Sequence, residues 1–564
     1  MTEFRLPISY CSNTNNLDNH LINDLEFDDT KLFKRIFKPK TSFGEKNLSL
    51  WGKQFTTNRK FLTETQKLLK KDIPNTDNLD TTEIVNVWEK ITLGDDSNDE
   101  DLGFHEKYNY IEWEWLRDYN NNALFLQIMS IYSLASPIIS LALPIFFLLF
   151  PFLVIRLKGI QISMGNYIVV LKTVIKSHQI GQLFSIGSVT WDKRIYILIS
   201  VGFYILQIYQ NIRACITFCK NLKNIHKDLF IIRKHIEDSL SLMDTFQGVS
   251  NKLVTYNEFN NNMSIHKNHL YKMYNELKCI TPLNLNLQKF YEIGHIRKCF
   301  YQIHNSKYLK DALLYSFNFC GYIDNLCGIQ NAINNKKLGI CKFTKKQTKF
   351  KDAYYPITDK EPVKNSYNLD KHMIITGPNA AGKTTMLKTT LFNIIISQQI
   401  GYGCYKSANL APFDYIHCYI NIPDTSGRDS LFQAEARRCK DIISLIERNC
   451  SFRHFCVFDE LYSGTNPYEA ISSAAGFLKY LNNRPNISFV LTTHFLDLCK
   501  RLDNNKKITN YHMGITNSES DFIYTYQLKT GISTVKGGIK VLTDLEYPKE
   551  IIVETQKIIN ELII

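Results

Sequence analysis

The sequence lacks the features that mark secreted and metal-binding proteins. Its first residues, "MTEFRLPISYCSNTNN", contain no basic segment followed by an apolar run, and so predict no secretory signal peptide. The 14 cysteines are scattered, without a CxxC pair or a cysteine and histidine cluster at metal-binding spacing. This distribution is typical of reduced, structural thiols, so we expect an intracellular protein. There is also no internal repeat that would indicate a repeat architecture.

The excess of positive over negative charge in the chain comes from one segment. Hydrophobic residues make up 44% and charged residues 21% of the 564 residues, a composition that is neither disordered nor wholly membranous. The net charge is +13, and residues 213–351 contain 22 Lys and Arg against 9 Asp and Glu, which equals the whole excess. Such a segment forms either a solvated helical surface or a surface for the phosphates of nucleic acid or anionic lipid.

Two runs contain no charged residue. Residues 119–155 are 37 uncharged residues, more than the ~20 needed to cross a bilayer. Pro137, Pro144 and Pro151 interrupt this run and predict a helix that kinks or folds back on itself. The second run, residues 195–212, is 18 residues long, at the short limit of a span. We predict a membrane partner through 119–155 and, as a second candidate, 195–212. The alternative for both is a buried core helix, and flanking basic residues leave the orientation open.

The remaining segments differ in periodicity. Residues 1–118 are polar with helical stretches, and Pro39 and Gly44 in "FKPKTSFGEKNLSLW" predict a turn. Residues 213–335 have helical periodicity, and 336–370 are interpreted as a basic connection. Beyond it, strand-like runs ("HMIIT", "YIHCYI", "HFCVF", "ISFVLTT", "FIYTYQL") alternate with helical ones. We therefore predict four segments: 1–118, 119–212, 213–335 and 336–564.

A phosphate-binding motif lies in the last segment. "GPNAAGKT" fits GxxxxGK[ST], with a predicted strand before it and a predicted helix after it. Backbone N–H groups and the helix N-terminus are expected to hold phosphates of ATP. Lys383 is expected to contact the outer phosphates and Thr384 to ligate Mg²⁺. The predicted nucleotide-binding residues of this loop are Gly377, Pro378, Asn379, Ala380, Ala381, Gly382, Lys383, Thr384 and Thr385.

Carboxylates for hydrolysis follow a second apolar run. "HFCVFDEL" places Asp459 at the end of a predicted strand, where it would hold Mg²⁺, and Glu460 beside it, where it would orient or deprotonate water. The next apolar run, "ISFVLTTHF", ends in His494, interpreted either as a sensor of the γ-phosphate or as a structural histidine. These spacings are typical of ABC-type ATPases, which act in pairs. The predicted fold is thus a C-terminal α/β P-loop ATPase domain, preceded by a mostly α-helical region with one or two inserted hydrophobic helices.

Several motifs resemble the MutS DNA mismatch-repair family. "TGPNAAGKTT", "DELYSGTNPYEA" and "LTTHF" are similar to that family's motifs, in the same order. "GRDSLFQAEARRCKDII" resembles its Ser-x-Phe-x-x-Glu signature, with Ser430, Phe432 and Glu435, and differs from the LSGGQ helix of ABC transporters. The resemblance covers residues 340–560, continues through the C-terminal tail, and extends more weakly upstream.

The resemblance implies roles and partners. It implies that Lys383, Thr384, Asp459 and Glu460 form the hydrolytic set, and that Asn365 lies near the nucleotide base. Ser430 would reach the nucleotide of another subunit, which implies a homodimer or a related partner; DNA is the implied substrate. The family's mismatch-reading Phe-x-Glu motif occurs at 104–106 and 290–292, but neither copy lies in a separate N-terminal domain, and matches by chance are expected.

Three functions therefore remain open. The first is a membrane-tethered, MutS-like ATPase that acts on DNA, with DNA mismatch repair as the implied pathway. The second is a membrane-anchored mechanical or scaffolding ATPase that does not act on DNA. The third is half of an ABC-type transporter, for which one or two spans are too few and the LSGGQ segment is missing. All three imply an intracellular ATPase domain on the ATP-containing side of a membrane.

Overall fold

A computed structural model provides the fold. It describes residues 4–76, 81–92, 103–159, 163–177, 190–283, 287–356, 361–420, 430–503, 505–517, 522–533, 539, 542–543 and 545–561. The middle of the link between the two uncharged runs, and the first three residues of "GRDSLFQAEARRCKDII", lie outside the described residues.

The chain divides into two compact units. The sheet unit comprises Met1–Leu79, Ser241–His266 and Tyr315–Ile564, and the helical unit comprises Asp80–Leu240 and Lys267–Leu314. This grouping differs from the four consecutive segments predicted from sequence, because residues 1–79 belong to the same unit as the C-terminal region. The predicted ATPase segment, 336–564, falls wholly within the sheet unit.

The strands of the sheet unit form three sheets. In chain order they are β1 (Thr14–Asn16), β2 (Gln54–Thr56), β3 (Gly339–Phe343), β4 (Lys349–Ala353), β5 (Asn365–Asn368), β6 (His372–Thr376), β7 (Tyr402–Gly403), β8 (Ser407–Leu410), β9 (Tyr415–Tyr419), β10 (His454–Asp459), β11 (Ile487–Thr493), β12 (Ile508–Asn517) and β13 (Phe522–Thr530). Among described residues, the largest sheet has the order β13-β12-β6-β11-β10-β9, with β13 antiparallel and the others parallel. A second sheet has the order β5-β4-β8-β3-β7, and β1 pairs with β2.

The helices are distributed over both units. In chain order they are α1 (Asn19–Asp24), α2 (Lys31–Phe37), α3 (Ser42–Trp51), α4 (Arg59–Leu68), α5 (Thr81–Thr92), α6 (Phe104–Tyr108), α7 (Ala123–Leu157), α8 (Met164–Ser177), α9 (Trp191–Ser250), α10 (Asn257–Lys278), α11 (Leu287–Asn305), α12 (Lys307–Asn334), α13 (Lys383–Ile400), α14 (Leu431–Arg448), α15 (Pro467–Asn482), α16 (Leu496–Asp503) and α17 (Lys549–Glu561). Helices α9, α10 and α12 each contain residues of both units. The chain is therefore a mixed helical and α/β protein.

The core of the largest sheet explains why its strands were recognisable from sequence. Strands β6, β10 and β11 are buried along almost their whole length, so each appears as a continuous apolar run. Ile374, Phe458 and Leu491 belong to one buried cluster that also includes residues of α14, α15 and α16. The predicted strands in "HMIIT", "YIHCYI", "HFCVF", "ISFVLTT" and "FIYTYQL" are all confirmed.

Buried glutamines connect the N-terminal residues to α13. The carboxamide of Gln398 donates to the carbonyls of Thr56 and Phe413, at 3.2 and 2.9 Å. From the other direction, Gln66 of α4 donates to the carbonyl of Gly401, just after α13, at 2.7 Å. These carboxamides satisfy backbone groups that would otherwise be buried without partners. They fix the N-terminal residues against the helix that follows the glycine-rich loop.

Two sequence interpretations need correction. The interpretation of residues 336–370 as a simple connection is wrong, because it contains β3, β4 and β5. The turn predicted around Gly44 is also wrong at that residue, since Gly44 lies within α3. A Cβ at Gly44 would lie 2.2 Å from Oδ2 of Asp324, so this glycine permits a close approach between helices and does not form a turn.

The first uncharged run forms one helix. Helix α7 is continuous over 35 residues, so of the two alternatives predicted from its three prolines, a kink or a fold-back, the fold-back is wrong. Among the described residues, two helices could cross a membrane by length and composition alone: Ala123–Leu143 and Arg194–Ser250. Only 11% and 6% of their most apolar windows are buried, which disfavours the buried-core alternative.

Candidate nucleotide-binding site

The glycine-rich loop connects β6 to α13 through an unusual backbone conformation. The φ angles of Gly377, Ala380 and Gly382 are +152°, +64° and +90°. Only glycine adopts such values readily at the first and last of these positions. A Cβ at Gly382 would also lie 3.0 Å from Cδ1 of Tyr526. The loop therefore needs its two glycines for conformation and, at Gly382, for space.

The ammonium group of Lys383 is held by the loop itself. Its Nζ atom donates to the carbonyls of Gly377 and Pro378, at 2.9 and 3.2 Å, and contacts Asn379 Oδ1 at 3.4 Å. The carboxylate of Glu460 lies 3.6 Å away. Burial lowers the pKa of this lysine, and the negative charges of Glu460 and Asp459 partly oppose that effect. A cation is thus held under the loop.

A carboxylate and a hydroxyl meet beside the loop. Oγ1 of Thr384, at the start of α13, donates to Oδ2 of Asp459 at 2.7 Å. The other carboxylate oxygen, Oδ1, accepts from the hydroxyl of Thr492 on the neighbouring strand β11. Burial raises the pKa of Asp459, while these two hydrogen bonds act in the opposite direction. Hydroxyl and carboxylate oxygens are ligands that Mg²⁺ accepts, usually together with water and phosphate.

Strand order brings Glu460 and His494 together. Strand β11 lies between β6 and β10, and Asp459 is paired with Thr492, so the carboxyl ends of all three strands share one edge. Nδ1 of His494 lies 3.7 Å from Oε1 of Glu460. The contact with His494, together with the charge of Lys383, lowers the pKa of the Glu460 carboxyl despite partial burial. Glu460 is therefore ionised near neutral pH. The backbone of the same residue has a φ of +48°, in the left-handed region.

A cavity of about 890 Å³ lies over these groups. This volume is within the range of small-molecule sites. Its lining comes from the loop, α13, the end of β10, α14 and β13, and includes Asn365, Asn379, Lys383, Thr384, Asp459, Glu460, Leu431 and Tyr526. The structure therefore gathers most of the sequence-predicted site residues around one cavity.

Ser430 lies at the exposed N-terminus of α14. Its side chain accepts from the N–H of Gln433 at 3.4 Å, and the Gln433 side chain accepts from the N–H of Ser430 at 3.0 Å, which is a capping box. The hydroxyl is thus used within its own chain as a cap. Its contact with another subunit stays a prediction.

A buried carboxylate that sequence reasoning left without a role connects α14 to the site. Glu435 accepts hydrogen bonds from the N–H and hydroxyl of Ser463, at 3.1 and 3.0 Å, and from the N–H of Gly464 at 3.1 Å. These residues follow the strand end that bears Asp459 and Glu460. Glu435 therefore fixes the loop after the acidic pair to α14. The Ser-x-Phe-x-x-Glu signature identifies Glu435 in the sequence, but the sequence does not predict its hydrogen-bond partners.

The carboxamide of Asn365 is engaged by β13. It donates to the carbonyl of Tyr526 at 3.1 Å and accepts from the N–H of Leu528 at 2.8 Å. Asn365 is on β5, so these bonds connect the two larger sheets. The residue lines the cavity, but both ends of its amide already have backbone partners. Its proximity to a nucleotide base stays a prediction.

The two Phe-x-Glu copies occupy different environments. Phe104 is buried, with its ring centroid 3.6 Å from that of His304, so it is not accessible to a base. Phe290 is exposed, but Glu292 forms an ion pair with Lys289 at 2.7 Å. The burial of Phe104 agrees with a match by chance for the first copy.

The fold also assembles one group of potential metal ligands without a sequence motif. Glu276 on α10 and His295 and Cys299 on α11 have ligand atoms within 4.8 Å of one another. Each already has a protein partner: Glu276 pairs with Lys298, His295 with a backbone carbonyl, and Cys299 with His295. None of the 14 cysteines, all of which lie among the described residues, forms a disulfide.

Comparisons with known proteins concern the C-terminal region. Residues 373–563 match the family model of MutS domain V. The chain is 30% identical over 193 residues to DNA mismatch repair protein MutS of Bacteroides fragilis (34% of this chain, 22% of the relative). It is 29% identical over 262 residues to the protein of the same name from Parabacteroides distasonis (43% and 29%). For the Aquifex pyrophilus protein the identity is 28% over 190 residues (34% and 22%). The match thus spans under a third of each relative's length.

Proposed function

We propose that this chain, whose residues 373–563 match the family model of MutS domain V, binds and hydrolyses ATP with Mg²⁺ and thereby switches a dimer between conformations. One observation carries the proposal: the hydroxyl of Thr384 lies 2.7 Å from the carboxylate of Asp459, beside a loop that holds the ammonium group of Lys383. A hydroxyl, a carboxylate and a buried lysine ammonium group around one cavity are the groups that a nucleoside triphosphate and its metal ion require.

The chain's residues fit this cofactor. Gly377 and Gly382 leave the loop without side chains where phosphates would approach, and Lys383 would exchange its loop carbonyls for phosphate oxygens. Thr384 and Asp459 would hold Mg²⁺, which when bound neutralises phosphate charge. Glu460, ionised and adjacent to His494, would orient water or accept its proton.

A second subunit completes the proposal. Ser430 is exposed at the N-terminus of a helix of 18 residues, where backbone N–H groups attract anions. We propose that it contacts the nucleotide of a second copy of this chain. Glu435 then joins this contact to the loop beside Glu460, so that closure of the dimer and hydrolysis are coupled.

DNA and membrane association are parts of the same proposal. The relatives are named for DNA mismatch repair, and the basic segment 213–351 supports binding of a polyanion. The exposed apolar residues of α7 and α9 support a membrane tether. We further propose that the protein is intracellular, with its ATPase domain on the ATP-containing side of the membrane. These apolar helices also favour the alternative, a membrane-anchored mechanical or scaffolding ATPase that does not act on DNA. Two apolar helices leave little basis for a transporter half-molecule.

The test is the rate of ATP hydrolysis by detergent-purified protein. We would measure it alone, with homoduplex, mismatched or branched DNA, and with anionic vesicles, each at two salt concentrations. Lys383→Ala should abolish nucleotide binding, and wild-type-like turnover in this variant would contradict the ATPase proposal. Stimulation by DNA that weakens with salt supports the DNA-acting function, whereas stimulation by vesicles alone supports the alternative.

A further inference from the structure

Helices α7 and α9 of the helical unit pair in antiparallel fashion along their uncharged parts. Tyr204 donates its hydroxyl to the carbonyl of Ser140 at 3.0 Å, and Asn211 Nδ2 donates to Ser140 Oγ at 2.5 Å. Closer to the start of α7, the carbonyl of Leu134 accepts from the thiol of Cys215 at 3.7 Å. Partners later in α9 therefore meet residues earlier in α7.

Side-chain hydroxyls, one from α9 and one from α7 itself, satisfy two backbone carbonyls that the prolines of α7 leave without helical donors. The carbonyl of Ser140 has no helical N–H donor because residue 144 is proline, and the hydroxyl of Tyr204 donates to it instead. The carbonyl of Ser133 loses its donor to Pro137 in the same way, and the hydroxyl of Ser136 donates to it at 3.2 Å. In water such carbonyls would be hydrated, so the substitution of protein donors is what a water-free environment demands.

The part of α7 that contacts α11 lies before Ile131, although Leu124 and Ile128 there are exposed. Before it, α11 lies so close that a Cβ on Gly294 would be 2.1 Å from the carbonyl oxygen of Ala123. The buried guanidinium of Arg297 donates to Ser130 Oγ at 3.0 Å and to the carbonyl of Asn109 at 2.6 Å. From Ile131 onward most of the large apolar side chains that the structure describes on α7 are exposed, as Ile138 is at 70%.

The exposed apolar surface has the dimensions of a bilayer core. Residues 131–150 of α7 span about 30 Å at 1.5 Å per residue, and residues 195–216 of α9 span about 33 Å. This stretch of α9 contains one charged residue, the exposed Arg213, within one turn of its end, where a long side chain reaches the headgroup region. At 100° per residue, the exposed apolar side chains on each helix spread over about 200° of its circumference, too wide for a groove that takes one helix. Described exposed members are Ile131, Tyr132, Ile138, Ile139, Leu141, Leu143, Phe146 and Phe150 on α7, and Ile195, Tyr196, Leu198, Ile199, Phe203, Ile205, Leu206, Tyr209, Ile212 and Ile216 on α9.

Charged and aromatic residues bound this surface at both ends. At the end remote from α11, Arg156 and Lys158 are exposed, and the guanidinium of Arg194 lies 5.0 Å from the ring centroid of Trp191. At the other end, Lys220 and Lys223 follow on the exposed face of α9. Basic and aromatic residues at the limits of an apolar span fit the headgroup regions of a membrane.

We propose that α7 and α9 form a two-helix hairpin that crosses a lipid bilayer, with Tyr204 and Asn211 closing it on Ser140. The chain before residue 119 and the chain after residue 216 then lie on one side of the membrane, and residues 156–194 reach the other side. This inference rests on the membrane tether of the proposed function and specifies its topology.

Protease sites placed on the two sides test this topology. One variant carries a sequence-specific protease site after Gly103 and a second site after Gly159, both exposed glycines, and is reconstituted into sealed phosphatidylcholine and phosphatidylglycerol vesicles. We expect each molecule to be cut at one site only, whichever its orientation, and at both sites after detergent is added. Molecules cut at both sites in intact vesicles, or protein that alkaline carbonate removes from the vesicles, would overturn the hairpin.

Controls separate topology from folding and from hydrolysis. Each single-site variant reports whether its site is cut in detergent, and a cooperative thermal unfolding transition in detergent reports whether the protein is folded. The ATP hydrolysis rate in detergent is measured separately. Because that rate does not depend on a bilayer, failure of the hairpin and failure of the ATPase proposal give different results.

A cross-link tests the pairing independently. Ser140→Cys with Asn211→Cys, combined with the site after Gly159, should keep the two fragments joined after mild oxidation and cleavage, and release them on reduction. The matched control is Ser140→Cys with Leu198→Cys, since Leu198 is exposed and lies about three turns from Asn211. Equal joining in both variants would contradict the register; joining only with Asn211→Cys supports it.

Discussion

The hydroxyl of Thr384 donates a 2.7 Å hydrogen bond to the carboxylate of Asp459, although 75 residues separate the two in the chain. Thr384 is the second residue of α13, the helix that follows β6 and the glycine-rich loop, and Asp459 is the last residue of β10. In the sheet, β10 lies two positions from β6. With β11 between them, this distance depends on the register of three parallel strands. The hydrogen bond therefore requires both the glycine-rich loop and the acidic strand end to be in place.

Removal of the Thr384 hydroxyl should weaken metal-dependent nucleotide binding. Thr384→Val keeps the side-chain shape but removes one oxygen ligand, so we expect the affinity for ATP with Mg²⁺ to fall by about 10- to 100-fold. The affinity for ATP measured with a chelator should change little. Titration calorimetry under both conditions checks this, and an equal loss in both would show that the hydroxyl acts on the loop and not on the metal.

Neutralisation of Glu460 should separate binding from hydrolysis. Its carboxylate is ionised because His494 and Lys383 lower its pKa, and Glu460→Gln removes the negative charge and the proton acceptor. We expect ATP affinity to be retained, turnover to fall by about 10²- to 10⁴-fold, and a closed dimer to accumulate. Single-turnover hydrolysis and light scattering measure these quantities. Normal turnover in this variant would exclude Glu460 as the base.

The sequence was informative where one local pattern determines the structure. Strands β6, β10 and β11 are buried on both faces, so their apolar runs were enough to predict them as strands. Strand β4, "KFKDA", escaped prediction because it alternates exposed and buried residues and is rich in charge. Gly44 indicated a turn because its close contact with Asp324 is invisible in sequence.

Long-range hydrogen bonds explain the remaining differences. Gln66 and Gln398 are polar residues on helices, but both are buried and join the N-terminal residues to α13. The prolines of α7 suggested a fold-back, but a neighbouring helix supplies the donor that Pro144 removes. The burial of these glutamines and the continuity of α7 depend on hydrogen-bond partners that are distant in sequence, and no local sequence pattern specifies such partners.

Loss of the Glu435 carboxylate should loosen the loop after the acidic pair. The N–H groups of Ser463 and Gly464 donate to different oxygens of Glu435. Glu435→Gln replaces one of these oxygens by an NH₂ group, which then faces one of the two donors and cannot accept its hydrogen bond. We expect a stability loss of about 1–3 kcal/mol and slower hydrolysis, with nucleotide binding retained. Glu447→Gln on the same helix is the matched control, because Glu447 is exposed. Thermal unfolding and turnover measure both effects; identical behaviour of the two variants would contradict the role of Glu435.

Protonation of His372 should destabilise the sheet in acid. Burial lowers its pKa to about 4, and its Nδ1 accepts from the N–H of Phe489 at 3.3 Å. In the unfolded chain the imidazole of His372 has a pKa of about 6.5, so the unfolded state binds a proton before the folded state does as the pH falls. Stability is therefore complete above about pH 6.5 and is lost as the pH falls towards 4, with a loss of about 2 kcal/mol at pH 5.

The variant His372→Asn isolates this effect. Asparagine can accept from Phe489 through Oδ1 but does not titrate, so its thermal midpoint should fall less than that of the wild type between pH 7.5 and pH 5. Buried His235 and His417, whose pKa values are lowered to about 3, should contribute equally to both proteins. Parallel decreases in both proteins would show that His372 does not control the acid response.

Basic residues repeat along one face of α9 in the helical unit. Arg213, Lys220, Lys227 and Lys234 are seven residues apart, and Lys223 lies on the same face. Lys220, Lys223 and Lys227 are exposed, and Lys220 follows the apolar surface of the hairpin by four residues, or about 6 Å. This stripe is therefore placed to meet anionic headgroups or a DNA backbone just outside the bilayer.

Replacement of Lys220, Lys223 and Lys227 by Gln distinguishes these two polyanions. If DNA binds the stripe, the slope of log affinity against log salt should become shallower by about 3. If the stripe meets anionic lipid, DNA binding should be unchanged, and the preference for phosphatidylglycerol vesicles should weaken by about 1 kcal/mol per lysine. The matched control replaces Lys342, Lys345 and Lys346, exposed lysines from the same basic segment but in the sheet unit. Because the control removes the same charge, only an effect confined to the α9 variant assigns the polyanion to the stripe.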